Sequence, residues 1–362
     1  MKRSNTNLSI CKAIAIILMC AGHAEGPTQL VTFIYLFHMP VFFIAAGYFF
    51  DKKYLNDPWT FIKKRFKGLY VPFVKWSVFF LVLHNLFFKI GLLNEQYGNW
   101  SGGVTHPYNW HQFWQRLVHI IFSMGGYDEF LAGAFWFFRA LLVASIAFLV
   151  LYLLLYNRRK WLNHDTVPIV IIALTIGFAW FKVSNHLTIA TLVQGGIRDC
   201  WGVMFFAMGV LYRRHEKVIP EHWALTLLYA GLLAGGAWLG LQGMALKVDP
   251  HTVATLPLTG AIGFLMVHAI ASWLDSHDGR LKRFLVYCGN NTLYIYVFHI
   301  ISFKIVSAIK IWYYGLDWGQ IGCHMVIHEN STTDLFWVLY TIVGTAVPLL
   351  GITLYRRLKR AR

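Results

Sequence analysis

Near the start of the chain, "CKAIAIILMCAGHAEG" (residues 11–26) sets Lys12 and His23 in an otherwise apolar stretch. A neutral imidazole can take a proton from a hydroxyl near physiological pH, which is the task of a general base. A fixed cation can hold a phosphate, a thioester carbonyl or a developing oxyanion. Seven more ionisable residues fall inside apolar stretches: His38, Lys75, His84, Arg139, His268, His299 and Lys304. Such groups are rare in lipid and default to a paired or functional role. Lys75, Lys304 and His268 lie near helix ends and are expected to snorkel to water. His23, His38, Arg139 and His299 sit in more distinctive surroundings, although hydrogen bonding between helices would also account for any one of them.

Positioning these groups requires membrane-spanning elements. The 362 residues are 57% hydrophobic and only 13% charged, against about a quarter charged in a soluble domain. Apolar blocks of about 20 residues recur, the length that crosses a bilayer core as a helix. The sequence predicts an all-α, polytopic transmembrane bundle forming one membrane-embedded domain over 1–362. About ten helices are expected, near 7–25, 29–50, 70–91, 131–156, 166–182, 199–213, 222–241, 252–274, 287–311 and 334–355. The first reads as a retained span, since it lacks a small-x-small cleavage site. Lys12 and His23 then share one helical face, about 16 Å apart along the axis. Pro40 is expected to bend the second helix. Residues 110–124 are amphipathic and too polar to span, and the connection 92–130 is expected to cap one face.

A net charge of +16 would suit nucleic acid, but its distribution argues otherwise. The basic residues cluster in alternate connections, at 52–67, 158–160, 213–217, 280–283 and the "RRLKRAR" end. The positive-inside rule makes this a topology signal and places both termini in the cytoplasm. The five cysteines suggest no disulfide framework, and no metal-ligand spacing is present. Trp100, Tyr108, Trp110 and Trp114 could stack on a sugar, but more simply anchor the interface.

Five motifs occur in one order: "LSICKAIAIILMCAGH", "FHMPVFFIAAGYFF", "KKRFKGLYVPF", "FWFFRALL" and "CGNNTLYIYVFHII". Together they resemble the acyltransferase-3 family of integral membrane acyltransferases, especially its fucose 4-O-acetylase-like branch, over nearly the whole chain. Ser9 stands where the family has an aspartate, Lys12 takes the arginine-or-lysine position, and Ala45-Ala46-Gly47 replaces a small-Ser-Gly element.

The resemblance implies transfer of an acyl group, usually acetyl from acetyl-CoA, to a hydroxyl of a sugar, lipid-linked glycan or exported acceptor. It implies no metal, no nucleic acid, membrane lipids as the surroundings and a cell-membrane location; a homo-oligomer is compatible with it. His23 is then the base, with Arg139 or Lys12 stabilising the oxyanion. Glu25, His38, His299 and Asn291 would contact substrate, and Lys63, Lys64, Arg65 and Lys67 the CoA phosphates. Two rival readings stay open. One is a transporter using the buried His and Arg groups as a proton relay and substrate site, although no internal repeat supports it. The other is a non-catalytic partner of glycan export.

Overall fold

The computed structural model describes residues 6–24, 26–98, 106–158, 163–188, 196–245, 248–326 and 334–360. The expected apolar blocks are helical, and no strand occurs among the described residues. Satisfying every backbone N–H and C=O within one segment is what an apolar solvent demands. Seven helices are long and apolar enough to cross a membrane by length and composition, and Thr6–Gly22 and Trp223–Trp238 are shorter apolar ones. The tenth block, Ile197–His215, carries Arg198, Asp199, Arg213 and Arg214 at its ends.

Two predicted helices are in fact broken. The block at 29–50 divides into Thr28–Tyr35 and His38–Tyr48. Phe37 between them is non-helical, with φ −142° and ψ −19°. The break falls at the Leu36 carbonyl that Pro40 cannot bond, and Pro40 itself lies in the first turn of the new helix, where a backbone N–H has no helical partner. The second break splits 287–311 at Asn291, into amphipathic Arg280–Asn290 and apolar Thr292–Tyr314. The run from Pro58 to Lys89 passes through a π-turn at Phe66–Tyr70. That wide turn precedes Pro72, which lacks an N–H to donate.

The chain forms two compact units. The first comprises Met1–Ala15, Gln29–Leu69 and Ala140–Asn290. Its centre is the pairing of His38–Tyr48 with Ile197–His215, onto which Thr166–Ser184 and Pro250–Ser276 also pack. The first pair approaches backbone to backbone. A Cβ added at Gly47 would lie 2.0 Å from the Phe206 carbonyl oxygen, and one at Gly209 would lie 2.0 Å from that of Ile44. Small residues permit this approach, which supplies dispersion contact where water gives no hydrophobic drive. Trp201, Phe205 and Phe206 fill the core around it.

At one end of this pair, cations satisfy the last carbonyls of His38–Tyr48. Arg65 donates to the Ala46 carbonyl at 3.2 Å, and Arg213 to those of Tyr48 and Phe50 at 3.3 and 3.0 Å. Orphan carbonyls and the negative helix end both favour this arrangement. His268 does not snorkel as expected. It is buried, with Nδ1 2.6 Å from Glu221 Oε1 and 3.0 Å from the Tyr212 hydroxyl.

The second unit comprises Ile16–Thr28, Tyr70–Arg139 and Asn291–Arg362. Thr292–Tyr314 packs along Phe336–Arg360 and against the short helix Trp318–Gly322. Val71–Lys89 packs against Trp110–Ser123, the expected amphipathic helix, opened by a capping box between Asn109 and Gln112. Lys310 and Asp334 form a buried ion pair at 3.1 Å.

The glycine contacts make the first unit sensitive to one carbon. Gly209→Ala is expected to lower stability by about 1–3 kcal/mol, read as a lower thermal unfolding midpoint in detergent. Gly231→Ala, which meets nothing within 4 Å, serves as the control and should leave the midpoint unchanged or raise it.

Candidate functional site

The second unit brings two of the sequence-predicted residues together. His23 follows the last turn of Thr6–Gly22, and His299 lies in the second turn of Thr292–Tyr314. His23 Nδ1 is 2.9 Å from His299 Nε2, with the rings stacked at 5.1 Å between centroids. His299 is 1% exposed, whereas His23 is only half-buried.

The donors and acceptors around this pair fix its protons. His299 Nδ1 lies 2.9 Å from the Tyr296 carbonyl oxygen and 3.2 Å from that of Ile295. A carbonyl can only accept, so His299 Nδ1 carries the hydrogen. In the neutral ring, His299 Nε2 is then the acceptor, and His23 Nδ1 must donate to it. The lone pair of a neutral His23 is thereby placed on Nε2. Two backbone carbonyls thus select the tautomer of a ring they do not touch, as a second residue does for the base in a catalytic triad.

The surroundings of the pair are aromatic. Tyr296 donates its hydroxyl to the Ala134 carbonyl, and its ring meets Phe135 and Phe138 at 5.8 and 5.0 Å. The short helix Gly133–Phe135 carries these groups into Trp136–Arg158, where Arg139 is buried. Asn291, also buried, is the N-cap of the helix that bears His299.

A second polar group in this unit was not assigned from sequence. His84 Nδ1 meets Asp128 Oδ2 at 2.6 Å, both side chains being at most 1% exposed. His84 Nε2 donates to the His106 carbonyl at 2.9 Å. The other Asp128 oxygen accepts from the backbone N–H groups of Phe130 and Leu131 at 2.8 and 3.0 Å. Tyr108 stacks on His84 at 3.7 Å, with Arg116 over its far side at 4.4 Å. Tyr108 is therefore buried in the unit and not an interface anchor like exposed Trp110 and Trp114; Trp100 lies outside the described residues. This pair fastens residues 106–131, the expected cap, to Val71–Lys89.

The fastened turn presents Phe130, and two further groups converge on its ring. Lys304 Nζ sits 5.0 Å from the ring centroid and donates to the carbonyls of Ile321, at 2.7 Å, and Cys323. Lys304 is 5% exposed, so the expected snorkelling is replaced by a saturated internal site. His324, in the connection between two spans, lies 5.6 Å from Phe130. Its Nε2 is buried with no hydrogen-bond partner among the described residues. Burial, reinforced by His23 and Lys304, pushes its pKa down to about 3, which keeps the ring neutral.

The remaining sequence candidates lie elsewhere. Lys12 and His38 belong to the first unit; His38 Nδ1 bonds the Ile34 carbonyl at 2.9 Å, which also accepts from the Phe37 N–H at 3.3 Å. Of the basic stretch, also in that unit, Lys63, Lys64 and Lys67 are exposed, while Arg65 lies over Phe61 and Phe206 at 4.9 and 5.3 Å. Glu25 lies outside the described residues.

Asp128→Ala leaves His84 Nδ1 and the buried N–H groups of Phe130 and Leu131 without their acceptor. It should destabilise the protein by about 1–3 kcal/mol for each group left unsatisfied, measured as a lower unfolding midpoint. Limited proteolysis should also open residues 106–131 before the rest of the chain, whereas Asp165→Ala, an exposed partner of Arg214, should do neither.

Comparison with known proteins gives the chemistry a family. Residues 5–355 match the Acyl_transf_3 family, described as an acyltransferase domain. No curated protein and no solved structure matches the chain. With a match over nearly its whole length and a multi-span helical fold, the chain belongs to the acyltransferase-3 family of membrane acyltransferases.

Proposed function

We propose that this protein is an O-acyltransferase of the fucose 4-O-acetylase-like branch, moving acetyl from acetyl-CoA to a hydroxyl of a sugar, glycan or other envelope acceptor. The observation that carries the reading is the His23–His299 contact at 2.9 Å, with His299 Nδ1 on backbone carbonyls. It leaves His23 Nε2 as the basic nitrogen at a half-buried position.

In the proposed reaction, His23 Nε2 accepts the acceptor hydroxyl proton as the oxygen attacks the thioester carbonyl carbon. The tetrahedral oxyanion is held by a cation of the same unit, Arg139. Collapse breaks the C–S bond, and the CoA sulfur leaves with the proton from imidazolium. One ester and one thiol replace one hydroxyl and one thioester. While His23 is charged, its Nδ1–H bond to His299 Nε2 is charge-assisted and therefore stronger. Asn291 would contact substrate, as would Glu25.

Exposed Lys63, Lys64 and Lys67 would meet the CoA phosphates, with Arg65 anchoring that stretch through its bond to Ala46. The clustering of basic residues supports a cell-membrane protein with both termini and the CoA-facing connections in the cytoplasm. Family membership argues against the transporter reading.

Free-thiol release from acetyl-CoA by purified protein, with and without acceptor, tests the assignment. His23→Ala should lower kcat about 10²–10⁴-fold, the usual contribution of a general base. His299→Gln offers an amide oxygen to His23 Nδ1 and should retain at least about tenfold more activity than His299→Phe, which offers none. Wild-type rates in His23→Ala would remove the base from the site; equal rates in the two His299 variants would remove the tautomer argument.

A further inference from the structure

The helix Arg280–Asn290 follows the span Pro250–Ser276 in the first unit. Leu285, Cys288 and Gly289 turn inward and are buried, whereas Arg280, Leu281, Arg283 and Phe284 form an exposed stripe. Leu281 is 57% and Phe284 46% exposed. A face that mixes guanidinium groups with large apolar side chains suits neither bulk water nor a hydrocarbon core, but the boundary between them.

Both ends of this helix are fastened where apolar helices end. At its start, Lys282 donates to the Asp275 carbonyl and meets the carboxylates of Asp275 and Asp278 at 3.1 and 2.9 Å. At its finish, the Ser9 hydroxyl donates to Asn290 Oδ1 at 3.0 Å, and a Cβ added at Gly289 would overlap the Ser9 carbonyl. Ser9 lies in the first turn of Thr6–Gly22, and Thr6 donates to Asp275 Oδ2 at 2.7 Å. The two anchors therefore share nearly one level, and a helix tied at both ends to one level lies along it. Aromatic rings mark the same level. Trp273, one turn before the end of its span, meets Trp223 edge to face at 5.7 Å, and both are exposed. Exposed indoles gather at the membrane–water interface.

Charge then selects the partner. The neighbouring carboxylates, Asp275 and Asp278, are committed to Lys282. Arg280 and Arg283 carry exposed guanidinium groups with no acceptor among the described residues. The planar fork of arginine matches two phosphate oxygens at once.

We propose that the helix Arg280–Asn290 is a binding surface for anionic phospholipid. Arg280 and Arg283 hold headgroup phosphates, while Leu281 and Phe284 enter the acyl boundary. The inference is independent of the proposed reaction, since it is read from bound lipid and not from acyl transfer. It also divides the basic cluster at 280–283: Lys282 fastens the helix, and the two arginines face the lipid.

The test uses full-length protein in neutral detergent, with phosphatidylglycerol and phosphatidylcholine as probes and native mass spectrometry as the readout of bound lipid. The wild type should prefer phosphatidylglycerol. Arg280→Ser with Arg283→Ser should weaken the tightest phosphatidylglycerol binding about 25-fold, about fivefold for each cation at a lipid surface. Arg280→Lys with Arg283→Lys keeps the charge and should retain most of that affinity, which guards against a general effect of substitution. Lys217→Ser removes an exposed cation from another connection and should change the affinity less than about twofold. Phe284→Ser should weaken both lipids alike. The inference falls if the double serine variant binds phosphatidylglycerol as the wild type does, or if Lys217→Ser weakens it equally. It falls too if millimolar inorganic phosphate releases the lipid, which would make this a site for a free anion. A dimer of the wild type that the serine variant abolishes would give the face to a second copy and overturn it likewise.

Discussion

Two backbone carbonyls, those of Ile295 and Tyr296, are the constraint on which the candidate chemistry depends. They can only accept, so they hold the proton on His299 Nδ1 and turn its other nitrogen into an acceptor for His23. A helix normally commits its carbonyls to N–H groups four residues ahead. His299, in the second turn of Thr292–Tyr314, reaches back three and four residues to these carbonyls, which serve its ring as well as the helix. In a medium with few competing donors, a neutral–neutral bond of this kind is stronger than it would be in water.

The second unit also shows how a membrane protein can bury several ionisable side chains within a few residues of one another. His84 is matched by Asp128, Lys310 by Asp334, and Lys304 by two loop carbonyls and an aromatic face. Two of them fasten a connection to a span: His84 the turn at 128–131, Lys304 the segment 321–323. Such pairs give little net stability compared with apolar packing, but breaking one is costly, so they specify where a loop sits. The first unit uses the same device at the end of His38–Tyr48, where Arg65 and Arg213 take up carbonyls that would otherwise be orphaned.

Much of this was legible in the sequence, for physical reasons. Apolar runs of bilayer length can only be helices, and the uneven charge of their connections carries the topology. The resemblance over five ordered motifs named the family that the match over residues 5–355 shows. His23 and His299 were marked out by their surroundings, but their pairing was not, since 276 residues separate them. The break at Phe37 was hidden because the apolar pattern continues across it, whereas the one at Asn291 is marked by the polar run Gly289-Asn290-Asn291-Thr292 that a span over 287–311 passed over. Lys304 and His268 were expected at water because they lie near helix ends; only tertiary partners keep them inside. Asp128 and His324 were passed over for a related reason. His324 is a single polar residue within the short connection "GCHMV", Asp128 stands beside Glu129 in "GGYDEF", and the side-chain partner of Asp128, His84, comes from another segment.

The central claim is the proton arrangement in the imidazole pair, and it is directly observable. Nitrogen-15 NMR of the protein labelled at histidine, with substitutions to assign the rings, reports which nitrogen of each ring carries hydrogen. The account predicts protonated Nδ1 on both His23 and His299, bare Nε2 on both, and a scalar coupling across the hydrogen bond from His23 Nδ1 to His299 Nε2. A His23 ring protonated at Nε2 and bare at Nδ1, with no coupling to residue 299, would contradict it.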